Sequence, residues 1–286
     1  MPCPICDDTR WKTVTTNGVE AVVRCDCWRT NLVDTALEQS GIPRGYAHCS
    51  LANFRGDYES IAEARRKAAA FINRFPVVER GLLFYGAHGV GKTHLAVAVL
   101  KETITQKGAR GYFYETAKLL KLVRDTYNDR AEHSEMDVLR PALDADILVL
   151  DDVGFGKTSE WVQETLGLVV DQRYSRNKPV VMTTNLVDSS DNTDPDSVIY
   201  RLGARTRSRL KEMCDWIHLD NADLREVGPD ADAERVARWY NQSPASPKNI
   251  PRGGKSFPEK ARSMARAKLR PKGDVDLKWS GGKAGS

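Results

Sequence analysis

The sequence contains no long apolar run. Its most apolar stretches, such as residues 147–150, are far shorter than the roughly 20 residues that a membrane-spanning helix needs. The chain also does not open with positive charges followed by an apolar segment, which is the pattern of a secretory leader. We therefore expect a cytoplasmic protein that has no membrane partner.

Acidic residues are scarce at the end of the chain. Residues 241–286 contain 11 Lys and Arg but only 3 Asp and Glu, whereas residues 1–240 contain 32 basic and 36 acidic residues. This end is also poor in large apolar side chains, so it cannot bury enough surface to offset its ordering entropy and is predicted to be disordered. Two interpretations of its charge stay open, namely contact with nucleic-acid phosphates and solubility alone.

Cysteine is rare except near the start of the chain, where four of the six form a Cys-x2-Cys pair and a Cys-x-Cys pair. Two close pairs of thiolates suit tetrahedral Zn²⁺, and the metal would supply the folding energy of a segment with little apolar material. A disulfide is disfavoured in a reducing cytoplasm, and a thioredoxin-like redox site would need a single Cys-x-x-Cys. The predicted zinc ligands are Cys3, Cys6, Cys25 and Cys27. Cys49 and Cys214 stand alone and are interpreted as small apolar side chains.

Apolar periodicity predicts strands and helices that alternate along the chain. The helices are predicted over residues 29–40, 58–74, 92–106, 118–127 and 160–174. The strands are predicted over residues 82–85, 111–115, 146–151, 179–185 and 216–219. Such alternation predicts an α/β fold in which helices cover both faces of a parallel sheet.

A glycine-rich segment lies between the first predicted strand and the helix that follows it. It matches the pattern G-x-x-x-x-G-K-[ST], with both flanks that a phosphate-binding loop requires. The glycines let backbone N–H groups wrap around phosphate, Lys92 adds charge for the β- and γ-phosphates, and Thr93 offers a hydroxyl to Mg²⁺. The loop residues are Gly86, Ala87, His88, Gly89, Val90, Gly91, Lys92 and Thr93. A plain glycine-rich turn is the alternative, but the flanks and a second motif favour ATP binding.

The predicted strand at residues 146–151 ends in acids. Ligands of parallel sheets bind at the carboxyl ends of the strands, so these carboxylates are expected beside the phosphates. Asp151 is predicted to hold Mg²⁺ through water, and Asp152 to orient or deprotonate the attacking water. The next strand ends at Asn185, which is predicted to hydrogen-bond the γ-phosphate or that water; the alternative is an Asn that only serves a turn.

These motifs resemble those of the AAA+ ATPases, and among them the DnaC/DnaI helicase loaders and the related IstB transposition ATPases. The resemblance covers residues 41–226. Its carriers are residues 41–46 (GIPRGY) with Phe54, residues 89–96 (GVGKTHLA), residues 150–154 (LDDVG), residues 171–174 (DQRY), Pro179 and residues 183–185 (TTN). It implies a five-stranded sheet, His94 among the nucleotide-binding residues, Asn185 as the sensor 1 residue and Arg225 as a sensor 2 arginine.

The resemblance also implies assembly into a ring or spiral, in which an arginine of one subunit completes the ATP site of the next. The candidates lie in residues 201–210, where Arg201, Arg205 and Arg209 are predicted to share one helix face. Arg209 matches the family's position best, and Arg205 is second. A solvated basic face or a DNA contact is the alternative interpretation of this run.

The sequence thus predicts a chain of four parts. They are a zinc-binding module at residues 1–28, a linker helix and connector at 29–56, an AAA+ ATPase domain at 57–226, and a helical end with the basic tail at 227–286. Some loaders of the DnaI type place a zinc-binding module ahead of the ATPase, where it contacts the replicative helicase, whereas IstB-like proteins generally lack it. The sequence therefore favours a loader that delivers a hexameric replicative helicase to single-stranded DNA in bacterial or phage replication.

The expected activity is a Mg²⁺-dependent ATPase that is stimulated by DNA or a partner. Asp152 stands where many AAA+ proteins have Glu, and its shorter side chain predicts slow hydrolysis; the loaders share this Asp. Two other functions stay open. One is a helper of a DNA transposase, and the other is an ATP-switched DNA-binding adaptor with little turnover.

Overall fold

A computed structural model describes residues 3–7, 9, 11–16, 19–25, 27–54, 58–128 and 133–228. The predicted disordered, basic tail lies outside these residues, as does the helical end beyond residue 228. Among the helices of the described part, none combines the length and the apolar character that crossing a bilayer requires.

The first described residues form a small hairpin and a helix. Strand β1 (Trp11–Thr16) pairs with the antiparallel strand β2 (Val19–Arg24), and helix α1 (Cys27–Gln39) follows. This hairpin was not predicted, although two runs rich in Val and Thr flank an Asn-Gly dipeptide, a strong hairpin signal. Helix α1 begins inside the predicted module of residues 1–28 and continues into the predicted linker.

A five-stranded sheet forms the centre of the protein. Its strands are β3 (Gly81–Gly86), β4 (Gly111–Glu115), β5 (Ile147–Asp151), β6 (Val180–Thr184) and β7 (Cys214–Leu219). They lie in the order β4-β5-β6-β3-β7, and each neighbouring pair is parallel. The predicted five-stranded parallel sheet is confirmed.

Helices cover both faces of this sheet. They are α2 (Glu59–Arg74), α3 (Lys92–Lys107), α4 (Thr116–Asp125), α5 (Glu135–Asp144), α6 (Glu160–Ser175), α7 (Val198–Leu202), α8 (Ala204–Met213) and α9 (Leu224–Val227). α2 and α3 contribute to the core on one face, whereas α4 to α8 contribute to the core on the other.

The apolar runs of the central strands follow from this layering. In β3, Leu82 and Phe84 belong to the α2–α3 side, while Leu83 belongs to the opposite side. Residues 147–150 of β5 alternate between the two cores in the same way. Because a strand presents successive side chains to opposite faces, a strand covered on both faces needs an uninterrupted apolar run.

Helix α5 was not predicted from the sequence. Ser134 caps this helix, because its side chain accepts a hydrogen bond from the Asp137 N–H while the Asp137 carboxylate accepts one from the Ser134 N–H. This capping box can be seen in the sequence. However, Pro141 lies inside the helix, where proline is normally disfavoured, so the sequence of this segment is not typical of a helix.

A buried arginine joins three chain segments at the amino-terminal edge of the sheet. Arg173 of α6 is fully buried, and burial lowers its pKa to about 10. Its guanidinium donates hydrogen bonds to the carbonyls of Ala142 (2.8 Å), Ala145 (3.1 Å) and Pro179 (2.6 Å). Arg173 therefore links α6 to the end of α5 and to the start of β6, at the edge opposite the phosphate loop.

Candidate functional site

The predicted phosphate loop lies between the end of β3 and the start of α3. Gly89 and Gly91 have φ values of 73° and 97°, a region that favours glycine. A β-carbon at Gly89 would lie 1.8 Å from the Asp223 carboxylate, and one at Gly91 would lie 2.4 Å from the ring of Phe54. The backbone of this loop therefore takes a course that side chains at these two positions would prevent.

Lys92 is the first residue of α3 and is buried. Its ammonium donates hydrogen bonds to the carbonyls of Gly86 (2.9 Å) and Ala87 (2.5 Å), so the loop's own backbone holds it. Burial lowers the pKa of Lys92 to about 8, and the nearby Asp152 and Asp151 oppose this shift. A lysine at the amino-terminal end of a helix, beside a glycine-rich loop, forms an anion site suited to the phosphates of ATP.

Asp151 ends β5 and is buried beside α3. Its Oδ1 accepts hydrogen bonds from the hydroxyls of Thr93 (2.8 Å) and Thr183 (2.6 Å). Burial raises the pKa of Asp151, and these two hydrogen bonds oppose the rise. A carboxylate next to a threonine hydroxyl is an oxygen donor set of the kind that Mg²⁺ prefers, so these residues fit that ion.

Asp152 and Asn185 lie side by side at the ends of neighbouring strands. The Asn185 amide donates to the Asp152 carboxylate over 3.0 Å. Asp152 has a φ of 56°, a left-handed conformation that Asp tolerates better than most residues. The structure therefore brings together the two residues that were predicted to handle the attacking water.

Thr183 is a site residue that the sequence analysis left without a role. Besides donating to Asp151, its hydroxyl accepts a hydrogen bond from the Asp152 N–H over 2.8 Å. One buried side chain thus fixes both acids. The available signal was a polar residue near the end of an otherwise apolar strand, just ahead of Asn185.

These elements line a cavity of about 670 Å³. The predicted residues in its lining are His88, Gly89, Gly91, Lys92, Thr93, His94, Asp151, Asp152, Asn185 and Arg225. The lining residues that received no site role are Tyr46, His48, Cys49, Asn53, Phe54, Thr183 and Leu224. Of the other loop residues, Gly86 and Ala87 face Lys92 through their carbonyls, and Val90 is buried in the core.

Residues 46–54 form one wall of the cavity, although the sequence analysis treated them as part of a connector. The segment is fixed on α3, because the Leu51 N–H donates to Glu102 (2.9 Å) and the Nε2 of His94 lies 3.0 Å from the Ser50 carbonyl. Burial lowers the pKa of His94. Phe54 carried part of the family resemblance, but nothing in its sequence context indicated a place at the nucleotide.

Arg225 reaches the cavity from the segment after β7. Asp223 caps α9 by accepting a hydrogen bond from the Arg225 N–H over 2.9 Å. The N–H of Leu224 donates to the carbonyl of Gly89 over 3.0 Å, so the segment is attached to the phosphate loop. This attachment places the predicted sensor 2 arginine beside the cavity.

The arginine-rich run is not a single helix. A break at Gly203, with a φ of 83°, separates α7 from α8. Arg201 lies in α7 and donates to the carbonyls of Pro195 (2.6 Å) and Gly156 (2.5 Å). The prediction that it shares a helix face with the later arginines is therefore wrong, because the four-residue spacing does not continue across the glycine.

Arg205 and Arg209 lie on α8, and each forms an ion pair with Asp171 of α6. Neither arginine lines the nucleotide cavity of its own chain. The Arg205 side chain is 76% exposed, whereas that of Arg209 is 24% exposed and lies over the ring of Tyr174. In this arrangement Arg205 is more accessible to a neighbouring molecule than Arg209, the first candidate.

The predicted zinc ligands come together. The sulfur atoms of Cys3, Cys6, Cys25 and Cys27 all lie within 4.8 Å of one another, and two of their separations are 3.9 Å and 3.3 Å. Tetrahedral zinc with Zn–S distances of about 2.3 Å places its sulfurs about 3.8 Å apart. The backbone N–H groups of Ile5 and Cys6 hydrogen-bond the Cys3 sulfur and lower its pKa to about 7, towards the thiolate. These four cysteines fit Zn²⁺.

Comparison with known proteins places this site in context. Residues 37–193, which contain the phosphate loop, both acids and Asn185, match the family model described as IstB-like ATP binding protein. The chain is 26% identical to the replicative helicase loader DnaC of Escherichia coli strain K12 over 183 aligned residues. The aligned region covers 64% of this chain and 71% of DnaC.

Solved structures show the same architecture. A crystal structure of the DnaC helicase loader matches with a TM-score of 0.54 and 34% identity, over 62% of this chain and 100% of that chain. A crystal structure of DnaI matches with a TM-score of 0.52 and 21% identity, over 63% of this chain and 95% of that chain. Because its sequence identity is only 21%, the DnaI match supports the fold alone.

Proposed function

The chain belongs to the family of IstB-like ATP binding proteins, and from this membership we propose that it is an ATP-dependent loader of a replicative helicase. The observation that carries the proposal is its similarity to the helicase loader DnaC in both sequence and structure. The resemblance to these loaders and the AAA+ fold, both predicted from the sequence, are confirmed.

In this proposal the cavity binds ATP with Mg²⁺. The backbone of the phosphate loop and the Lys92 ammonium hold the phosphates, and Arg225, which also lines the cavity, adds a second positive charge. Thr93 would supply a hydroxyl ligand to Mg²⁺, and Asp151 would hold the ion through water. The support is that Thr93 and Asp151 are already joined by a 2.8 Å hydrogen bond next to Lys92.

Hydrolysis is assigned to Asp152 and Asn185. Asp152 orients the water and takes its proton as the water oxygen attacks the γ-phosphorus, while the bond to the β–γ bridging oxygen breaks. Asn185 fixes the Asp152 carboxylate through their 3.0 Å hydrogen bond. The short Asp side chain agrees with slow turnover that DNA or a partner protein increases.

We assign the trans arginine to the pair on α8, within a ring or spiral of subunits. Arg209 remains the first candidate because of its place in the family motif, and Arg205 the second because it is exposed. A guanidinium from one subunit would neutralise charge that develops on the phosphoryl group bound by the next. The support is that both arginines lie outside the cavity of their own chain.

The partners follow from the same proposal. The cysteine module, at residues 1–28, contacts the hexameric helicase, and the ATPase domain, at residues 57–226, binds single-stranded DNA and neighbouring subunits in the bacterial cytoplasm. Residues 29–56 connect the two, and residues 227–286 provide a basic tail. The loader acts in bacterial or phage replication.

A loading assay tests the function directly. The purified chain is mixed with the replicative helicase of the same genome and with circular single-stranded DNA, and helicase retained on the circles is measured with and without ATP. We expect ATP-dependent retention with the wild type and its loss with Lys92→Ala. Lys107→Ala is the matched control, since Lys107 lies at the other end of the same helix.

A transposition helper is the second candidate, favoured by the IstB-like family match. It predicts no complex with a ring helicase and instead an increase in strand transfer by a transposase. An ATP-switched adaptor predicts ATP binding with no increase in phosphate release when DNA and partner are added. Either result in place of helicase retention contradicts the loader proposal.

The trans arginine has its own test. Arg209→Ala should bind ATP normally but hydrolyse it poorly, because it removes a contact from the neighbour's transition state and not from its own phosphate loop. Mixing it with the inactive Lys92→Ala should restore part of the activity, since some interfaces then join an intact loop to an intact arginine. Normal hydrolysis by Arg209→Ala together with poor hydrolysis by Arg205→Ala would move the assignment to Arg205.

A further inference from the structure

A second group of metal-binding side chains lies in the wall of the nucleotide cavity, far along the chain from the cysteine module. His48, Cys49 and His94 each offer one ligand atom, and these atoms all lie within 4.8 Å of one another. The Cys49 sulfur is 3.8 Å from the Nε2 of His48. Tetrahedral zinc with one Zn–S bond of about 2.3 Å and one Zn–N bond of about 2.0 Å places those two atoms about 3.5 Å apart, close to this value.

Asn53 holds two of the three residues in position. Its amide nitrogen donates to the His48 carbonyl over 2.7 Å, and its amide oxygen lies 2.9 Å from the Nε2 of His94 and accepts from the Ser50 N–H over 2.9 Å. The Asn53 side chain therefore joins the backbone of His48 to the ring of His94. Such outer hydrogen bonds orient the ligands of metal sites in proteins.

The contacts of His94 also determine which of its nitrogens is free. Nε2 faces two oxygen acceptors, the Ser50 carbonyl and the Asn53 amide oxygen, so it carries the ring proton. The lone pair of the neutral ring is then on Nδ1, which is the nitrogen that would bind a metal in this tautomer. A ligand histidine that donates its other N–H to a carbonyl is the usual arrangement at zinc.

The donor set selects a class of ion. One sulfur and two imidazole nitrogens suit Zn²⁺ and other borderline-soft divalent ions, whereas Mg²⁺ requires oxygen ligands. Cys49 is 1% exposed, and this burial raises the pKa of its thiol. Lys101 opposes the rise with a positive charge, which it places beside Cys49 by donating to the carbonyls of Ala47 and Cys49. Three protein ligands leave one position for water or for a ligand in the cavity.

We propose that Cys49, His48 and His94 form a second zinc site, on the wall of the nucleotide cavity. This proposal replaces the sequence-based interpretation of Cys49 as a plain apolar side chain. It does not depend on the helicase-loader function or on zinc at the cysteine module. The competing explanation is that the three side chains only pack together, as the edge contact between His48 and His94 at 6.0 Å would allow.

Zinc content of the full chain, purified without chelators, tests the site. We expect Cys49→Ser to contain one zinc per chain fewer than the wild type. Cys214→Ser is the matched control, because Cys214 is also buried but lies in β7, outside this cluster; it should keep the wild-type content. The measured quantity is a difference, so it is informative even when the cysteine module binds no metal.

A second variant avoids the buried position. His48 is exposed, so His48→Gln should fold normally while removing one ligand. In the chain with all four module cysteines changed to Ser, Co²⁺ should produce a thiolate charge-transfer absorption that His48→Gln weakens and Cys49→Ser abolishes. Equal zinc in the wild type and Cys49→Ser would overturn the proposal. A cobalt spectrum unchanged by both substitutions would also overturn it.

Discussion

The cysteine module and the nucleotide-binding core both present a site for a small ligand, but different forces hold them together. Among the described side chains of residues 3–25, the buried apolar ones are the proposed ligands Cys6 and Cys25, while Ile5, Trp11 and Val22 are exposed. The core instead has apolar side chains packed on both faces of its sheet. We therefore expect the module to depend on a bound metal for folding, whereas the core has its own apolar packing.

The same difference appears in the two sites. Four thiolates at this spacing would repel one another, so in our proposal a bound metal completes the module's site. In the core, Lys92 and Asp151 already have partners in their own chain, namely the loop carbonyls and two threonine hydroxyls. We therefore expect that removal of ligand unfolds the cysteine module and leaves the nucleotide-binding core intact.

The largest expected effect is loss of the module's structure when zinc is removed. Cys25→Ser, or a strong chelator, should remove the zinc and expose the amides of residues 11–24 to rapid hydrogen exchange. Structural zinc contributes on the order of 10 kcal/mol in small metal-binding peptides, and little buried apolar surface replaces it here. If those amides stay protected after chelation, the module does not need metal to fold. A parallel loss of protection in residues 147–151 would show that the core also depends on the metal.

Asp152→Asn should separate turnover from folding within the core. Asn adopts the left-handed conformation as readily as Asp but cannot accept a proton from water, so ATP turnover should fall about 100-fold or more. ATP affinity and the melting temperature of the free protein should stay near the wild-type values. Phosphate release and calorimetric titration provide the measurements, with Asp144→Asn at the opposite edge of the sheet as control. Turnover like that of the wild type would remove Asp152 from its assigned role.

Arg173→Lys should destabilise the core without changing either site. Lysine cannot satisfy the three carbonyls in the same geometry, and we expect a loss of about 3 kcal/mol in the free energy of unfolding. Urea denaturation measures it, and Arg176→Lys, an exposed position near the end of the same helix, should cost less than about 1 kcal/mol. Zinc content should be unchanged. Equal stability of the two variants would show that packing alone holds this edge of the sheet.

The smallest expected effect is that of Lys92→Ala on ATP affinity. Loss of one charge-assisted contact of about 1.5–3 kcal/mol corresponds to roughly 10- to 100-fold weaker binding. The melting temperature without nucleotide should remain within a few degrees of the wild type, because the site does not need ATP to fold. A large drop in that melting temperature would show that Lys92 supports the loop itself.

The sequence predicted the parts of the site whose spacing is local. The phosphate loop, the two acids and Asn185 were assigned because each stands in a short motif at the end of a strand. Thr183 and Asp223 were not assigned, because their roles come from contacts with residues that are distant in the chain. His48 and Cys49 belong to the same class, since only the docking of residues 46–54 on α3 brings them to the cavity.

The errors in the fold have equally specific causes. Pro141 concealed α5, and Gly203 divided an arginine run that four-residue spacing had joined. The hairpin β1–β2 has an Asn-Gly turn signal in its sequence. It was not predicted because this segment was interpreted only as a metal-binding module. Strand order could not be read from the sequence, because the pairing of β3 with β6 and β7 is set by packing between distant segments.

That strand order has a consequence for synthesis on the ribosome. β3 emerges about 90 residues before β6, its first partner, which at roughly 5–20 residues per second is a wait of about 5–20 seconds. During this time the nascent chain displays an unpaired apolar strand with the phosphate loop attached to it. One contact of the loop, the hydrogen bond from the Leu224 N–H to the Gly89 carbonyl, forms only when Leu224 arrives, after β7. A chain whose synthesis stops before that residue would carry every loop residue and both acids, yet its nucleotide pocket would remain open on one side.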